Sequence, residues 1–107
     1  MKRVIPRVAA EQDIDQTVDY YTDQAGDDVA RAFVDAVRDA YRAIGERPGA
    51  GSTRYADILR TEGLRTRKLG RFPYLLFYIE CDDHIDVRRI LHARRDIPAF
   101  LAGGDED

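Results

Sequence analysis

The chain has 107 residues, 44% of them apolar and 35% charged, with a formal net charge of −3. That is enough for one small domain with a single core and a heavily solvated surface, and no run approaches the ~18 apolar residues that span a bilayer. The single cysteine, Cys81, excludes an internal disulfide and reads as a buried thiol at a strand end. An acidic stretch stands where a signal peptide would have its apolar region, so a cytoplasmic protein is expected.

The charge is unevenly spread. Residues 1–53 carry seven Lys/Arg against ten Asp/Glu, residues 54–95 carry ten against six, and the stretch from Asp96 onward adds four acids and no base. A locally basic region in an acidic chain points to selective contact with an anionic surface rather than general nucleic-acid coating.

Arg3 to Val8 is short and β-prone, and Pro6 removes an amide donor, which predicts an edge strand. Ala9 to Ala25 reads as a helix with Ile14, Val18, Tyr21 and Ala25 on one stripe, acids in its first turns and Gly26 at its end. Asp27 or Asp28 caps a second helix running to about Arg47. Its stripe is Ala30, Phe33, Val37, Ala40, Tyr41 and Ile44. Only a Gly-Asp turn separates the two, so they form a helical hairpin whose apolar faces need a cover.

Pro48, Gly49 and Gly51 stop the second helix. Gly49 to Gly63 has no clean period, with Tyr55, Ile58 and Leu59 as a short helical turn laid on the core. Gly63 to Gly70 reads as a strand with Arg65, Arg67 and Leu69 on one side and Leu64, Thr66 and Lys68 on the other. Phe72 to Ile79 is apolar on both faces, which places it centrally in a sheet. A hairpin at Asp82-Asp83 leads to a last strand ending in Arg88, Arg89, His92, Arg94 and Arg95. A strict two-residue loop pairs Ile79 with Asp86. One more residue pairs Ile79 with Val87 and Leu75 with Leu91, matching apolar to apolar, so a longer loop or a bulge is expected.

The expected fold is α+β, in the order β-α-α-β-β-β, with the helical hairpin on one face of a small, mostly antiparallel sheet and the other face left open for a partner. Residues 1–101 form a single domain, and 102–107 an acidic, disordered tail.

The sequence contains no Walker loop, GxGxxG, CxxC or HExxH, and its two histidines are too few and too extended for a dedicated zinc site. No metal or cofactor is expected. What remains is cationic: Arg65, Arg67, Lys68 and Arg71 on one strand, and Arg88, Arg89, His92, Arg94 and Arg95 on another. Arginines among tyrosines bind phosphates, stack on bases or grip an acidic partner. His92 among cations is also a candidate for acid–base work in RNA cleavage. The alternative reading is solvated strand ends and structural ion pairs, with Asp96 clamping Arg94 and Arg95.

Pro73-Tyr74, Phe77-Tyr78, His92, Arg94, Arg95 and Asp96 stand in a pattern, PY, two apolar residues, FY and then HxRRD. With the preceding LRTRKLGRF and the helical hairpin, this pattern resembles the ParE-type toxins of the RelE/ParE superfamily across about Val4 to Asp96. The resemblance implies the toxin of a type II toxin–antitoxin pair, held by a cognate ParD-like antitoxin. ParE members are associated with poisoning DNA gyrase, whereas RelE members cut mRNA on the ribosome. This chain lacks a tyrosine after Asp96 and has an acidic tail, which favours gyrase and no catalysis of its own. On that reading Arg65, Arg67, Lys68, Arg71, His92, Arg94, Arg95 and Asp96 are the candidate target contacts. Tyr55, Ile58, Leu59, Tyr74 and Tyr78 are the candidate antitoxin contacts. The alternatives are a ribosome-dependent endoribonuclease using His92, Arg94 and Lys68, or an inactive antitoxin-binding relative.

Overall fold

A computed structural model of the chain describes residues 1–95 and 97–99. The elements are β1 (Arg3–Pro6), α1 (Val8–Ala25), α2 (Asp27–Glu46), a 3-10 turn (Pro48–Ala50), α3 (Arg54–Ile58), β2 (Leu64–Lys68), β3 (Tyr74–Glu80) and β4 (His84–His92). The four strands form one sheet in the order β1-β4-β3-β2. β2, β3 and β4 make the expected antiparallel meander, and β1 joins its far edge parallel to β4. Pro6 therefore sits on an edge, where a missing amide breaks no ladder.

The helical hairpin covers one face of the sheet. α2 is the simpler helix: Ala30, Phe33, Val37, Ala40 and Ile44 recur at helical spacing and are buried, as the sequence predicts. α1 is different. Ala25 is exposed, and the buried positions are Ala10, Asp13 and Thr17, with Ile14, Val18 and Tyr21 half-buried beside them. A carboxylate and a hydroxyl thus occupy the face of α1 that points at the sheet.

β3 has neighbours on both sides and is buried on both faces. Leu76 and Tyr78 pack with Phe33, Val37, Ile44, Ile85 and Val87 under the helices. Phe77 packs on the opposite face with Tyr55, Leu64, Leu91 and Ile97. That second cluster corrects the expectation of an open far face. The segment around α3 folds across it, and Tyr55 meets the Phe77 ring at 5.3 Å. The cover is held to β2 by a reciprocal pair of 2.9 Å hydrogen bonds between Ser52 and Thr66, which also occupies part of the β2 edge.

Tyr78 pins the chain on the helix side. Its hydroxyl donates to the Pro48 carbonyl at 2.7 Å and accepts the Gly51 amide at 3.1 Å. A Cβ at residue 51 would collide with that hydroxyl, so the close approach requires glycine. Burial raises the phenol above its ordinary pKa.

The β3–β4 hairpin resolves the register question by using both alternatives. Next to the Asp82-Asp83 loop the strict two-residue pairing holds, with Ile79 opposite Asp86. The expectation of a longer loop is thus corrected: Cys81 and His84 close the turn through a 2.8 Å backbone bond. Further along, a bulge inserts Arg88, and beyond it Phe77 faces Arg89 and Leu75 faces Leu91. The extra residue changes the phase of β4. Ile85 and Val87 lie under the helices, and so does Ile90 instead of Arg89, while Leu91 joins the opposite cluster.

Two outcomes follow from the core. Leu76, fully buried at the centre of β3, should lose about 2–5 kcal/mol of stability as Leu76→Ala, read by urea unfolding. Tyr41 presents a buried hydroxyl with no partner among the described residues, and burial, helped by Glu11, pushes its phenol up to about 12. The folded phenol therefore ionises later than the unfolded one, near 10, so stability is lost as pH rises from about 10 to about 12. Tyr41→Phe should remove that alkaline loss in thermal melts, and at neutral pH should be neutral or stabilising by up to about 1 kcal/mol.

Candidate functional site

The bulge on β4 creates a demand that α1 meets. Asp13 points its carboxylate at the bulge, where Oδ2 accepts the Ile90 amide at 2.9 Å. The two oxygens also take Arg89 in a bidentate pair, both bonds 2.8 Å long. The pair is largely shielded, with 9% of the Asp13 side chain and 13% of the Arg89 side chain exposed. Thr17, one turn on, donates its hydroxyl to the Asp13 carbonyl at 2.8 Å, so its own buried polar group is satisfied by the backbone. Arg88 and Arg7 both reach Asp86, at 3.3 and 3.1 Å, tying the bulge to the β1 edge.

Above this clamp lies an open groove of about 920 Å³ between α1 and the end of β4. Gln12, Gln16 and Tyr20 line the α1 wall, at i, i+4 and i+8. Tyr74, His92, Arg94 and Arg95 line the opposite wall. The Tyr74 ring is half-buried against Phe33 and Tyr21, and His92 stands edge-on to it at 5.1 Å. The chain turns sharply after β4: the Ala93 amide donates to Pro73 O at 2.8 Å, and the Arg95 amide to His92 O at 3.0 Å. In the same turn the Arg94 amide donates to Nδ1 of His92 at 3.1 Å. A neutral His92 therefore carries its proton on Nε2, and its lone pair is already engaged.

The cations expected to converge separate into two groups. His92, Arg94 and Arg95 line the groove together with Arg89. Arg65, Arg67, Lys68 and Arg71 do not line it. β2 and β4 share the sheet, but β3 lies between them. Lys68 and Leu91 both pair with Leu75, so Lys68 reaches the same end of the sheet two strands away, about 10 Å by strand spacing. Arg65 turns to the Gly51 carbonyl at 2.8 Å and helps brace the Tyr78 pin. Arg67, Lys68 and Arg71 are exposed along the other edge. Asp96, expected to clamp Arg94 and Arg95, lies outside the described residues.

The candidate antitoxin contacts also divide. Tyr78 is fully buried and Tyr55 is 8% exposed, so both are packing residues with little or no surface to offer a partner. Tyr74 and Leu59 are half-buried, and Ile58 is 58% exposed at the end of α3. The residue that sequence reasoning misses is Asp13, taken as one of several first-turn acids. A signal for it exists: it shares the 10-13-14-17-21 face of α1 with apolar residues, where an unpaired carboxylate is not tolerated. Among the described residues no group of three or more His, Cys, Asp or Glu side chains is placed to hold a metal ion.

A family model described as the ParE toxin of type II toxin–antitoxin system, parDE, matches residues 4–97. Among solved structures, a chain titled as the chromosomal ParDE TA system from P. aeruginosa superposes with a TM-score of 0.74 at 22% identity, covering 88% of this chain and 98% of that chain. At that identity the likeness concerns the fold. No curated protein gives a significant match.

The clamp has a measurable energy. Asp13→Ala removes the bidentate partner of a shielded guanidinium and the acceptor of a bulge amide, and should cost about 3 kcal/mol in urea unfolding. Adding Arg89→Met should recover part of that loss, giving a double-mutant coupling of at least about 1 kcal/mol. Additive losses would mean that the two side chains act independently.

Proposed function

The chain belongs to the ParE toxin family of type II toxin–antitoxin systems, and on that premise we propose that it arrests growth by binding DNA gyrase in the cytoplasm, without chemistry of its own. The observation that carries this reading is the state of His92. Its Nδ1 lone pair is held by the Arg94 amide, and Lys68, two strands away, does not line the groove that His92 and Arg94 share, which speaks against an acid–base set for cutting RNA. The same end of the sheet supplies binding groups instead. Arg94 is exposed, and its guanidinium has no hydrogen-bond or ion-pair partner among the described residues. It is the strongest single candidate for a target contact, with His92 and Arg95 beside it.

In the same proposal a cognate antitoxin of the ParD type holds the toxin inactive. Its contacts fall on Ile58, Leu59 and the half-buried edge of Tyr74, and on the acidic surface of the helical hairpin. Residues 8–46 carry ten carboxylates against three arginines, a surface that suits a basic or amphipathic segment folding on contact. Partners that add a strand meet an edge at β2 already shared with Ser52.

The test pairs two assays. Purified toxin should block gyrase supercoiling and accumulate cleavage complexes, while primer extension on translated mRNA shows no new ends. Arg94→Ala should weaken the gyrase effect by about tenfold, the cost of one charge-assisted contact, with its melting temperature unchanged. Ribosome-phased cuts with gyrase untouched would replace this reading with the ribonuclease one. Unchanged growth on expression without antitoxin would remove both and leave an inactive antitoxin-binding relative.

A further inference from the structure

The charge on α1 is sorted by face. Glu11, Asp15, Asp19 and Asp23 recur every four residues and form one exposed stripe. Gln12, Gln16 and Tyr20 recur at the same interval one position on, which places them about a quarter-turn around the helix. It is this second stripe that walls the groove. A helix with five carboxylates in its first sixteen residues thus presents none of them from its groove stripe. The one α1 carboxylate that lines the groove, Asp13, is shielded and committed to Arg89 and Ile90.

The opposite wall is cationic and donor-rich. Arg94 offers its guanidinium, His92 offers Nε2–H, and Arg95 lies beside them. Had α1 been one position out of phase, its acid stripe would face these groups and neutralise them. Among the described residues the arrangement leaves the wall around Arg94 cationic inside an acidic protein, a condition that serves an anionic ligand. The neutral wall adds chemistry that a simple anion would not use. Gln12 and Gln16 present amides with both donors and acceptors, suited to the edge of a base. Tyr20 is 58% exposed, and its ring is steadied edge-on by Tyr21 at 5.5 Å, which leaves an aromatic face for stacking. A volume of about 920 Å³ has room for a nucleotide and part of its neighbour.

We infer that the groove between α1 and the end of β4 binds a single-stranded nucleic-acid segment, with phosphate on the Arg94 side and base on the Gln12–Gln16–Tyr20 side. The inference does not depend on which macromolecule the toxin arrests. A strand opened by a DNA-processing enzyme and a strand of mRNA offer the same phosphodiester and the same stacking base, and the experiment separates them.

The full-length toxin is titrated against fluorescein-labelled oligo-dT and oligo-U of about 12 nucleotides, and against a duplex of equal length, by fluorescence anisotropy at about 50 and about 200 mM salt. One or both single strands should bind at least about fivefold more tightly than the duplex, and binding should weaken with salt as a few released counterions require. A preference between the single strands names the source, DNA or RNA. The pair Gln12→Glu and Gln16→Glu, which writes carboxylates onto the groove wall, should weaken binding at least about tenfold with an unchanged circular dichroism spectrum and melting temperature. Asp19→Asn, on the acid stripe, should change it by less than about twofold. Tyr20→Ala should weaken oligonucleotide binding at least about fivefold, as the loss of one stack. The inference is overturned if no single strand binds, or if the glutamate pair binds as well as the parent. It is also overturned if Arg67→Glu and Lys68→Glu on the β2 edge abolish binding while the groove variants do not. Equal competition by a poly-glutamate peptide would reassign the groove to an acidic polypeptide.

Discussion

The structure depends on one carboxylate placed at one irregularity. A bulge in a strand releases a backbone amide from the ladder, and a buried amide without a partner costs as much as a lost hydrogen bond. Asp13 supplies that partner from the helix above and at the same time takes both arms of Arg89. Neither charge is tolerable alone in this setting; together, with the amide as third member, they satisfy one another. The consequence is positional. With the bulge fixed at Arg88, Ile90 enters the core, Leu91 turns to the opposite cluster, and His92 lands beside Tyr74. Remove the extra residue and the strand beyond it changes face, taking the cationic end with it.

The second constraint is that β3 is covered twice. Its helix-side residues are met by α1 and α2, and its other face by Tyr55, Leu91 and Ile97. A small domain rarely has chain enough to do this, and here the means is the long connection from Pro48 to Gly63. Tyr78 anchors its start through Pro48 and Gly51, and the Ser52–Thr66 bonds anchor it against β2. Both broad faces of the sheet are thereby used up by packing. The surfaces left for partners are the ends and edges: the groove at the end of β4, the basic edge of β2, and the outer face of the helical hairpin.

Much of this was legible in the residues. The period of α2 placed Phe33, Val37 and Ile44 correctly, because a helix with one apolar stripe admits one orientation. Continuous apolarity placed β3 in the interior, and Pro6 placed β1 on an edge. The β3–β4 hairpin was legible as a conflict that a bulge resolves. Asp82-Asp83 asks for one register and the match of Leu75 with Leu91 asks for another, and the chain satisfies both by paying out one residue between them. The partners of Asp13 and Tyr78 were not legible, for a shared reason, although the apolar face that Asp13 shares signals that its carboxylate needs one. Each is a polar residue whose role is set by a backbone group far off in sequence, the Ile90 amide for one and the Pro48 carbonyl and Gly51 amide for the other. Local pattern sees a first-turn acid and a strand tyrosine. Only the assembled fold brings their partners within reach.

The same logic bears on why the cations divide as they do. Read along the chain, Arg65 to Arg71 and Arg88 to Arg95 form two basic runs, and a meander places both at one end of a sheet. Yet sharing a sheet is not sharing a site. β3 separates the runs by two strand spacings, Arg65 is consumed in bracing the connection, and Arg88 and Arg89 are consumed at the bulge. The arginines that structure demands are those nearest the strand centres. Arg94, beyond the last ladder pair, is fixed through its backbone in the turn after His92, which sets where its side chain starts and leaves its charge uncommitted to Asp13 or Asp86. Charge at a strand end becomes available for a partner when the scaffold's own carboxylates are already bound elsewhere. Asp13 and Asp86 meet that condition by spending themselves on the bulge, and α1 meets it by turning its remaining acids away.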